Sequence, residues 1–443
     1  MRYPPGPPGR PLIGNLPDFA RDVLGFHERC REEFGDIARV RVGARTIYLV
    51  QHPELIDEVL VTNHRNFIKH SFFWRHVTAI FGRGLLTNEG ESWLQQRRLM
   101  APAFHRDRIV SYGNVMVEYT QRALADWKPG ELRNVHHDLM HLTLEIVAKV
   151  LFDADVGGDA EVIGRAFDAV TDEIAARFRR PVFIPDWVPL PGNFRYRAGV
   201  RALDALVYRI IAEHRASGAQ GNDLLSMLMS VRDEEGSCMS DQQLRDEAIT
   251  ILLAGHETTA LALSWTLYLL ALHPDVDARL QDELQQVLNG RTPTPADLPA
   301  LRYTDHVIKE AMRIYPPAYG IGREAVAACE LGGYHVPAGT TIFMSAWVTH
   351  RDPRWFADPH TFNPDRWNDG LAERLPRHAY MPFGGGPRIC IGNSFAIMEA
   401  TLLLASIAQR YRFVREDPIP VVPFPTITLR PSGGVQLRVH ARA

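Results

Sequence analysis

The sequence predicts a mainly α-helical fold with small β-sheets, and three observations support this. From about residue 92 to residue 288, apolar residues recur three and four positions apart, which is the spacing of a buried helix face. Residues 36–50 instead alternate apolar and polar side chains around Gly43, as a β-hairpin does. Strand character returns at 334–345 and in the last thirty residues, where four prolines between positions 418 and 425 exclude a helix.

The elements are expected in a definite order. A stiff Pro/Gly-rich arm over residues 1–17 is expected to lie extended on the body, followed by the hairpin. No flexible linker or internal repeat divides the chain, so residues 1–443 are predicted to form a single domain. Shorter helices are expected around Trp93, before Pro316 and from Ser394 to Ala408, and longer helical segments near 107–127, 135–152, 158–179, 197–216 and 240–288.

Composition indicates a globular protein. The chain has 443 residues, of which 46% are apolar and 23% charged, so it can bury a large core. The formal charge of −3 gives no electrostatic reason to expect a nucleic acid partner. Four scattered cysteines, without C-x-x-C spacing, fit a reducing cytoplasm better than a disulfide or zinc framework.

The most apolar stretch of the chain, 249–272, is long enough to cross a bilayer. His256 and Glu257 lie at its centre, and a carboxylate there would be costly in hydrocarbon. The stretch is therefore predicted to be a helix buried in a soluble core. The N-terminus lacks the charged-then-apolar pattern of a signal sequence, so neither export nor an N-terminal anchor is expected.

Cys390 lies in the frame Phe-Gly-Gly-Gly-Pro-Arg-Ile-Cys-Ile-Gly, residues 383–392. Glycines allow the backbone to turn sharply and to approach a flat partner, and Arg388 adds positive charge close to the sulfur. Exposed N–H groups and the start of the following helix favour a thiolate, which is the form that metals bind. The frame predicts a metal-binding thiolate, and the alternative is an ordinary Gly-Pro turn with a buried free cysteine.

The stretch Ala254-Gly255-His256-Glu257-Thr258-Thr259 interrupts an otherwise apolar helix. An acid beside a hydroxyl could relay protons, whereas the alternative is a helix kink with a satisfied polar cluster. A zinc-protease motif is excluded, because the second histidine of H-E-x-x-H would fall on Ala260.

Two further pairs have the spacing of one helix turn. Glu310 and Arg313 are three residues apart and, with Arg366 from an irregular segment, could form a buried structural network; alone they would be a surface ion pair. Trp93 and Arg97 would offer an N–H and a guanidinium to a carboxylate-bearing ligand, or else form a solvated basic edge.

The loop at 181–191 is rich in both prolines and apolar residues. It could act as a lid over a binding site or tuck its aromatic side chains into the core. A shallow membrane contact is a third alternative.

Taken together in this order, these motifs make the chain resemble a cytochrome P450, and the resemblance covers the whole chain. Glu310 and Arg313 fill the E-x-x-R motif of that family, which Arg366 completes, and 254–259 resembles the oxygen-binding stretch of its central helix. The haem-loop pattern F-x-x-G-x-R-x-C-x-G is filled by Phe383, Gly386, Arg388, Cys390 and Gly392.

The resemblance implies roles for individual residues. Cys390 would be the axial ligand of haem iron, as the thiolate is in this family. Thr258 and Glu257 would deliver protons during oxygen activation. The haem propionates would be bound by Trp93, Arg97, Arg388 and Arg323, and Phe383, Gly392 and Ala254 would contact the haem. The substrate would be approached by Phe72, Phe73, Trp74, Ala318, Gly320 and Ile321, and also by Ala254.

The implied function is a soluble, bacterial-type haem-thiolate monooxygenase. It would use haem b and O2, with electrons from NAD(P)H delivered by a separate ferredoxin or by a flavodoxin or reductase. The apolar residues near the haem suggest a terpenoid, fatty acid or polyketide-like substrate, and a cytoplasmic monomer is expected. A peroxide-driven peroxygenase and a haem-thiolate protein that only binds or isomerises its ligand are the alternatives.

Overall fold

The structure is a computed structural model of the chain. It describes residues 1–69, 77–78, 80–179, 184, 187–217, 223–230 and 238–442. Phe72, Phe73 and Trp74, which were expected near the substrate, lie outside the described residues, as does much of the loop at 181–191.

The described part of the chain is mainly helical. The α-helices are α1 (Leu16–Arg21), α2 (Val23–Phe34), α3 (Pro53–Asp57), α4 (Gly90–Met100), α5 (Arg106–Ala125), α6 (Val135–Phe152), α7 (Ala160–Arg179), α8 (Pro191–Ser217), α9 (Leu224–Ser230), α10 (Asp241–Leu272), α11 (Pro274–Leu288), α12 (Arg302–Ile314), α13 (Ala346–Thr349), α14 (Leu371–Arg374) and α15 (Asn393–Arg410). The central helix is α10, which packs against α6, α8, α12 and α15.

Small β-sheets lie beside the helical body. The strands are β1 (Ile37–Val42), β2 (Arg45–Val50), β3 (Phe67–Ile68), β4 (Leu132–Asn134), β5 (Ile321–Ala325), β6 (Cys329–Leu331), β7 (Tyr334–Val336), β8 (Thr341–Met344), β9 (Tyr411–Val414), β10 (Pro423–Pro425), β11 (Leu429–Pro431) and β12 (Gln436–Ala441). The largest sheet has the strand order β1-β2-β8-β5-β3, in which β2 and β8 run parallel and the other neighbours antiparallel. Strand β12 pairs with β4 and β9, and the pairs β6–β7 and β10–β11 each form a two-stranded sheet.

The predicted fold class is confirmed, and so is the hairpin around Gly43, which has a positive φ of 60°. The prediction of one helical segment over 240–288 is wrong at one point. The segment divides into α10 and α11 at Pro274, because proline has no N–H for the helix ladder and suits a first helical position. The helix expected at 197–216 begins earlier, at Pro191.

The central helix α10 is 32 residues long, and its first turn is capped by the Ser240 side chain, which accepts a hydrogen bond from the backbone N–H of Gln243. Its side chains are buried on all faces through much of its length, which explains why the sequence there has little helical periodicity. None of the helices in the described part of the chain combines the length and apolar character needed to cross a membrane.

The structure brings Glu310, Arg313 and Arg366 together in a buried network. Arg313 donates to Glu310 at 2.9 and 2.8 Å, and Arg366 donates to the same carboxylate at 2.7 Å. The indole of Trp367 adds a fourth donor at 3.0 Å. The remaining N–H groups of both arginines bind backbone carbonyls of residues 350–361, so the charges are both paired and hydrogen-bonded.

We expect the Glu310→Gln substitution to destabilise the fold by about 3 kcal/mol, because it leaves two buried guanidinium groups without their carboxylate. Urea unfolding of the purified protein, followed by circular dichroism, measures the change. Asp305→Asn is the matched control on the same helix, since Asp305 forms a partly exposed ion pair with Lys309 at 2.7 Å. The control should cost less than about 1 kcal/mol, and equal losses would contradict a special role for the buried network.

Candidate active site

A cavity of about 650 Å³ lies between the central helix α10 and the loop that carries Cys390. This volume is typical of small-molecule and cofactor sites. Strand β5, helix α7 and the segment at 80–86 complete its walls. Four of the expected substrate contacts, Ala254, Ala318, Gly320 and Ile321, line it.

The loop before Cys390 is held in a conformation that requires glycine. Gly384 and Gly386 have φ values of 75° and 65°, which side chains disfavour. A Cβ on Gly386 would lie 1.8 Å from the carbonyl oxygen of Leu60, so this position allows no other residue without moving the backbone. The N–H of Cys390 then donates to the carbonyl of Phe383 at 3.0 Å, and α15 begins at Asn393.

The Cys390 side chain is open to the cavity but enclosed by protein. Burial raises the pKa of its thiol, and the Gly392 N–H and the positive charges of Arg97 and Lys69 oppose this only in part. This desolvation opposes the thiolate that the loop and the helix start favour, and the Cys390 thiolate stays a prediction. A bound metal cation would have to complete the deprotonation.

Four cations surround this end of the cavity. Arg97 donates to the carbonyl of Ile389 at 2.8 Å, which ties α4 to the cysteine loop. The Arg388 guanidinium lies 4.0 Å from the ring centre of Trp93 and forms an ion pair with Glu89. Arg323 and Lys69 are also at the cavity wall.

Burial and mutual repulsion lower the pKa values of two of these cations. Burial and the neighbouring Arg388 lower the pKa of Arg323 to about 10. Burial and the charges of Arg323 and Arg388 lower the pKa of Lys69 well below its usual value. Sequence reasoning missed Lys69, because it follows the two-residue strand β3 in no recognisable motif, and only the fold brings it to the arginines.

These residues fit a haem group. A thiol faces the cavity, and two propionates would supply the negative charge that the cations lack. Nη1 of Arg388 is buried and has no hydrogen-bond partner in the described part of the chain, as expected of a group that binds a ligand. Trp93, Arg97, Arg323 and Arg388, which were expected to bind propionates, thus gather at one place.

On the opposite wall, α10 presents Ala254, Gly255, Thr258 and Thr259 to the cavity. The Thr258 hydroxyl donates to the carbonyl of Ala254 at 2.9 Å, so its oxygen can still accept a hydrogen bond from the cavity side. A Cβ on Gly255 would lie 2.8 Å from the Val147 side chain, which explains the glycine by close packing against α6.

Glu257 forms an ion pair that the sequence did not reveal. Its carboxylate accepts hydrogen bonds from Nε of Arg430 at 2.7 Å and from the Thr428 hydroxyl at 3.0 Å, and Nη2 of Arg430 lies 2.6 Å away as an ion-pair contact. Arg430 also binds Asp168 on α7 at 2.9 Å. Sequence reasoning missed Arg430, which is 173 residues away from Glu257 in the chain.

The comparisons with known proteins agree with this geometry. A family model described as cytochrome P450 matches residues 4–439. The chain belongs to the cytochrome P450 family. It is 38% identical over 423 residues to a cyclooctatin synthase from Streptomyces melanosporofaciens, covering 95% of this chain and 91% of that protein.

Two other relatives cover similar shares. A cyclooctat-9-en-7-ol 5-monooxygenase from the same organism is 37% identical over 414 residues, covering 93% of this chain and 88% of that relative. A pentalenene oxygenase from Streptomyces avermitilis is 36% identical over 436 residues, covering 98% and 96% respectively. The predicted P450 monooxygenase activity on an apolar small molecule is thus confirmed, and the family implies haem iron and O2.

We expect Gly386→Ala to yield protein with little bound haem, because the new methyl group collides with the Leu60 carbonyl and displaces the cysteine loop. Haem absorbance per chain measures the loss. Gly433→Ala is the matched control: its φ is also positive, at 75°, but nothing lies within 4 Å of the added carbon. It should cost about 1 kcal/mol in stability and keep the haem. Equal haem content in both variants would contradict the role given to the Leu60 contact.

Proposed function

We propose that this P450 monooxygenase hydroxylates a terpenoid, with electrons from NAD(P)H delivered by a separate ferredoxin or by a flavodoxin or reductase. The observation that carries this proposal is the apolar cavity wall above the cysteine. The names of the three Streptomyces relatives support the same substrate class. The wall is formed by Phe81, Leu85, Leu86, Phe167, Val170, Ile251, Ala254, Ala318, Ile321 and Ile427.

The charged groups of the cavity favour a terpenoid over a fatty acid. The cations near Cys390 would be occupied by the propionates. Arg177 also lines the cavity, but it is bound to Glu173 at 3.3 Å and to Asn193 at 3.0 Å. Glu257 is bound to Arg430. Arg45, the remaining arginine of the cavity lining, also has an interaction within the protein. The carboxylate of a fatty acid would therefore find no cation without a protein partner among these groups.

The haem would supply oxygen activation at the thiolate-bound iron when it is present. We propose that the chain contributes Cys390 as the ligand and Thr258 as the hydroxyl that holds a proton-bearing water at the reacting face. Glu257 has a narrower proposed role. Paired with Arg430, it would orient water and stabilise positive charge.

The Thr258 hydroxyl supports the monooxygenase over a peroxygenase, since a peroxide-driven enzyme needs no proton delivery for O2 reduction. The propionates would be bound by Trp93, Arg97, Arg323 and Arg388, with Phe383 and Gly392 beside the haem. A single-domain, cytoplasmic monomer stays a prediction.

A substrate-binding screen by the haem absorption shift tests the substrate class. We expect cyclic terpenoid hydrocarbons and their mono-alcohols to displace the iron-bound solvent and shift the absorption maximum at micromolar concentrations. Fatty acids of equal carbon number serve as the matched comparison and should bind at least about tenfold more weakly, because their carboxylate would lose water without gaining a cation. Tighter binding of fatty acids would overturn the assignment to terpenoids.

We expect Thr258→Ala to lower the yield of product per NAD(P)H by about tenfold or more and to raise hydrogen peroxide release, since proton delivery is typically worth this much or more. Product, NAD(P)H and peroxide are measured together. Thr266→Ala is the control, because Thr266 donates to Ala262 in the same helix at 2.7 Å without lining the cavity. Unchanged coupling in Thr258→Ala, or equal uncoupling in both, would refute the proposed role.

A further inference from the structure

The cavity that contains Cys390 also reaches the N-terminal part of the fold. Helices α1 and α2 and the hairpin β1–β2 form part of its wall there, and we call this region the hairpin end of the cavity. Its side chains are mostly apolar, among them Phe19, Val23, Val40 and Ile47. Of the residues that these four elements, all within the described part of the chain, place in the wall, His27 is the one that is both polar and buried.

The His27 side chain is on the face of α2 that borders the cavity. Val23 precedes it by one helix turn and lines the cavity as well, so the two side chains share that face. The ring centre of Phe343 lies 5.0 Å from that of the imidazole, and the ring centre of Phe19 lies 5.9 Å from it. Both of these rings line the cavity, so His27 lies within an aromatic part of its wall.

The imidazole of His27 is packed in place without using its Nδ1 atom. Only 1% of the residue is exposed, and Nδ1 has no hydrogen-bond partner in the described part of the chain. The side-chain amide of Gln51 donates to the backbone carbonyl of His27 at 3.3 Å, which leaves the ring nitrogens out of that contact. Because a buried polar atom without a partner costs free energy, a ligand or water is expected to bind it.

The protonation state of His27 limits the kind of ligand group that it can bind. Burial lowers the pKa of His27 to about 4, and the negative charge of Asp22 opposes this only in part. The imidazole is therefore neutral at physiological pH and offers one N–H donor and one acceptor nitrogen. A hydroxyl group matches either nitrogen, whereas a carboxylate would gain no ion pair there.

Phe343 connects His27 to the part of the wall near the expected substrate contacts. A Cβ on Gly320 would lie 2.2 Å from the tip of the Phe343 ring, so backbone and ring are in direct contact. The ring centre of Tyr319 is 6.3 Å from that of Phe343. A ligand that lies across Phe343 would therefore reach Gly320 on one side and His27 on the other.

We propose that His27 binds a hydroxyl group already present on the terpenoid substrate, at a position other than the carbon that is oxidised. This inference rests on the proposed terpenoid function and narrows its substrate class to terpenoid alcohols. Holding one oxygen in place orients an otherwise apolar ring system, because a few placed polar groups in an apolar pocket determine which part of the ligand lies at the reacting centre. The substrate would come from a reaction that installs the first oxygen, either hydration of an alkene or an earlier hydroxylation.

The central experiment measures the binding of matched pairs of an alcohol and its parent hydrocarbon by the haem absorption shift. The pairs are cedrol with cedrane, patchoulol with patchoulane, and ferruginol with abietatriene. His27→Phe keeps a planar ring beside Phe19 and Phe343 but removes both nitrogens. In at least one pair, the preference of the wild type for the alcohol over the hydrocarbon should fall about tenfold in His27→Phe, since the hydroxyl then loses its partner.

Phe19→Leu is the matched control, because Phe19 contacts His27 and lines the same wall without a polar atom. It should change the affinities for alcohol and hydrocarbon by the same factor, to within about twofold, because only apolar contact area is altered. A preference for alcohols that stays unchanged in His27→Phe, or that is lost equally in Phe19→Leu, would overturn the proposal.

Nuclear magnetic resonance tests the site with a probe that is not a terpenoid. In the reduced, carbon monoxide-bound enzyme labelled with ¹⁵N-histidine, the His27 signals are those that disappear in His27→Phe or in His27→Gln. 1-Adamantanol should shift these signals, and adamantane, which has the same cage without the hydroxyl, should shift them much less. No shift with 1-adamantanol would overturn the proposal. If no terpenoid of either kind bound to the wild type, the proposed function would fail, and this measurement would still decide whether His27 binds an alcohol.

Discussion

Four cations and one thiol lie at the same end of the cavity, where burying the positive charges together costs free energy. The rest of the site depends on how this cost is offset. The pKa values of Arg323 and Lys69 are lowered, and the pKa of the Cys390 thiol is raised. A buried nitrogen of Arg388 has no hydrogen-bond partner among the described residues. Each of these perturbations would be relieved by a dianionic, metal-containing ligand. The haem would therefore stabilise the folded structure as well as supply the chemistry, since its propionates would add negative charge beside these cations.

The Glu310 network shows how the same chain treats charges that it does neutralise. There, two arginines and one carboxylate are buried with nearly every N–H and oxygen bound to a partner. Arg388 at the cavity differs, because one of its buried nitrogens has no hydrogen-bond partner in the described part of the chain. The paired charges of the Glu310 network stabilise the fold, whereas the Arg388 nitrogen is placed where a ligand is expected.

The sequence was sufficient wherever function depends on residues close together in the chain. The cysteine loop, the E-x-x-R pair and the hairpin at Gly43 were predicted because turn chemistry and helix spacing are local. Lys69 and Arg430 could not be predicted, because each depends on contacts between distant segments. The desolvation of the Cys390 thiol could not be predicted for a related reason, because helix ends and cations are visible in the sequence, whereas burial depends on the whole fold.

The close contact of Gly255 with Val147 has a consequence for how such a site can diversify. On that side, α10 packs so closely against α6 that a methyl group on Gly255 would collide with Val147, and the Leu60 carbonyl likewise excludes a methyl group at Gly386. Changes of substrate specificity are therefore expected on the other walls, from α7 and the segment at 80–86, which carry none of the residues proposed to hold the haem. The walls at Gly255 and Gly386 are constrained by close packing and keep the chemistry unchanged. Sequence changes on the other walls can alter which molecule is oxidised.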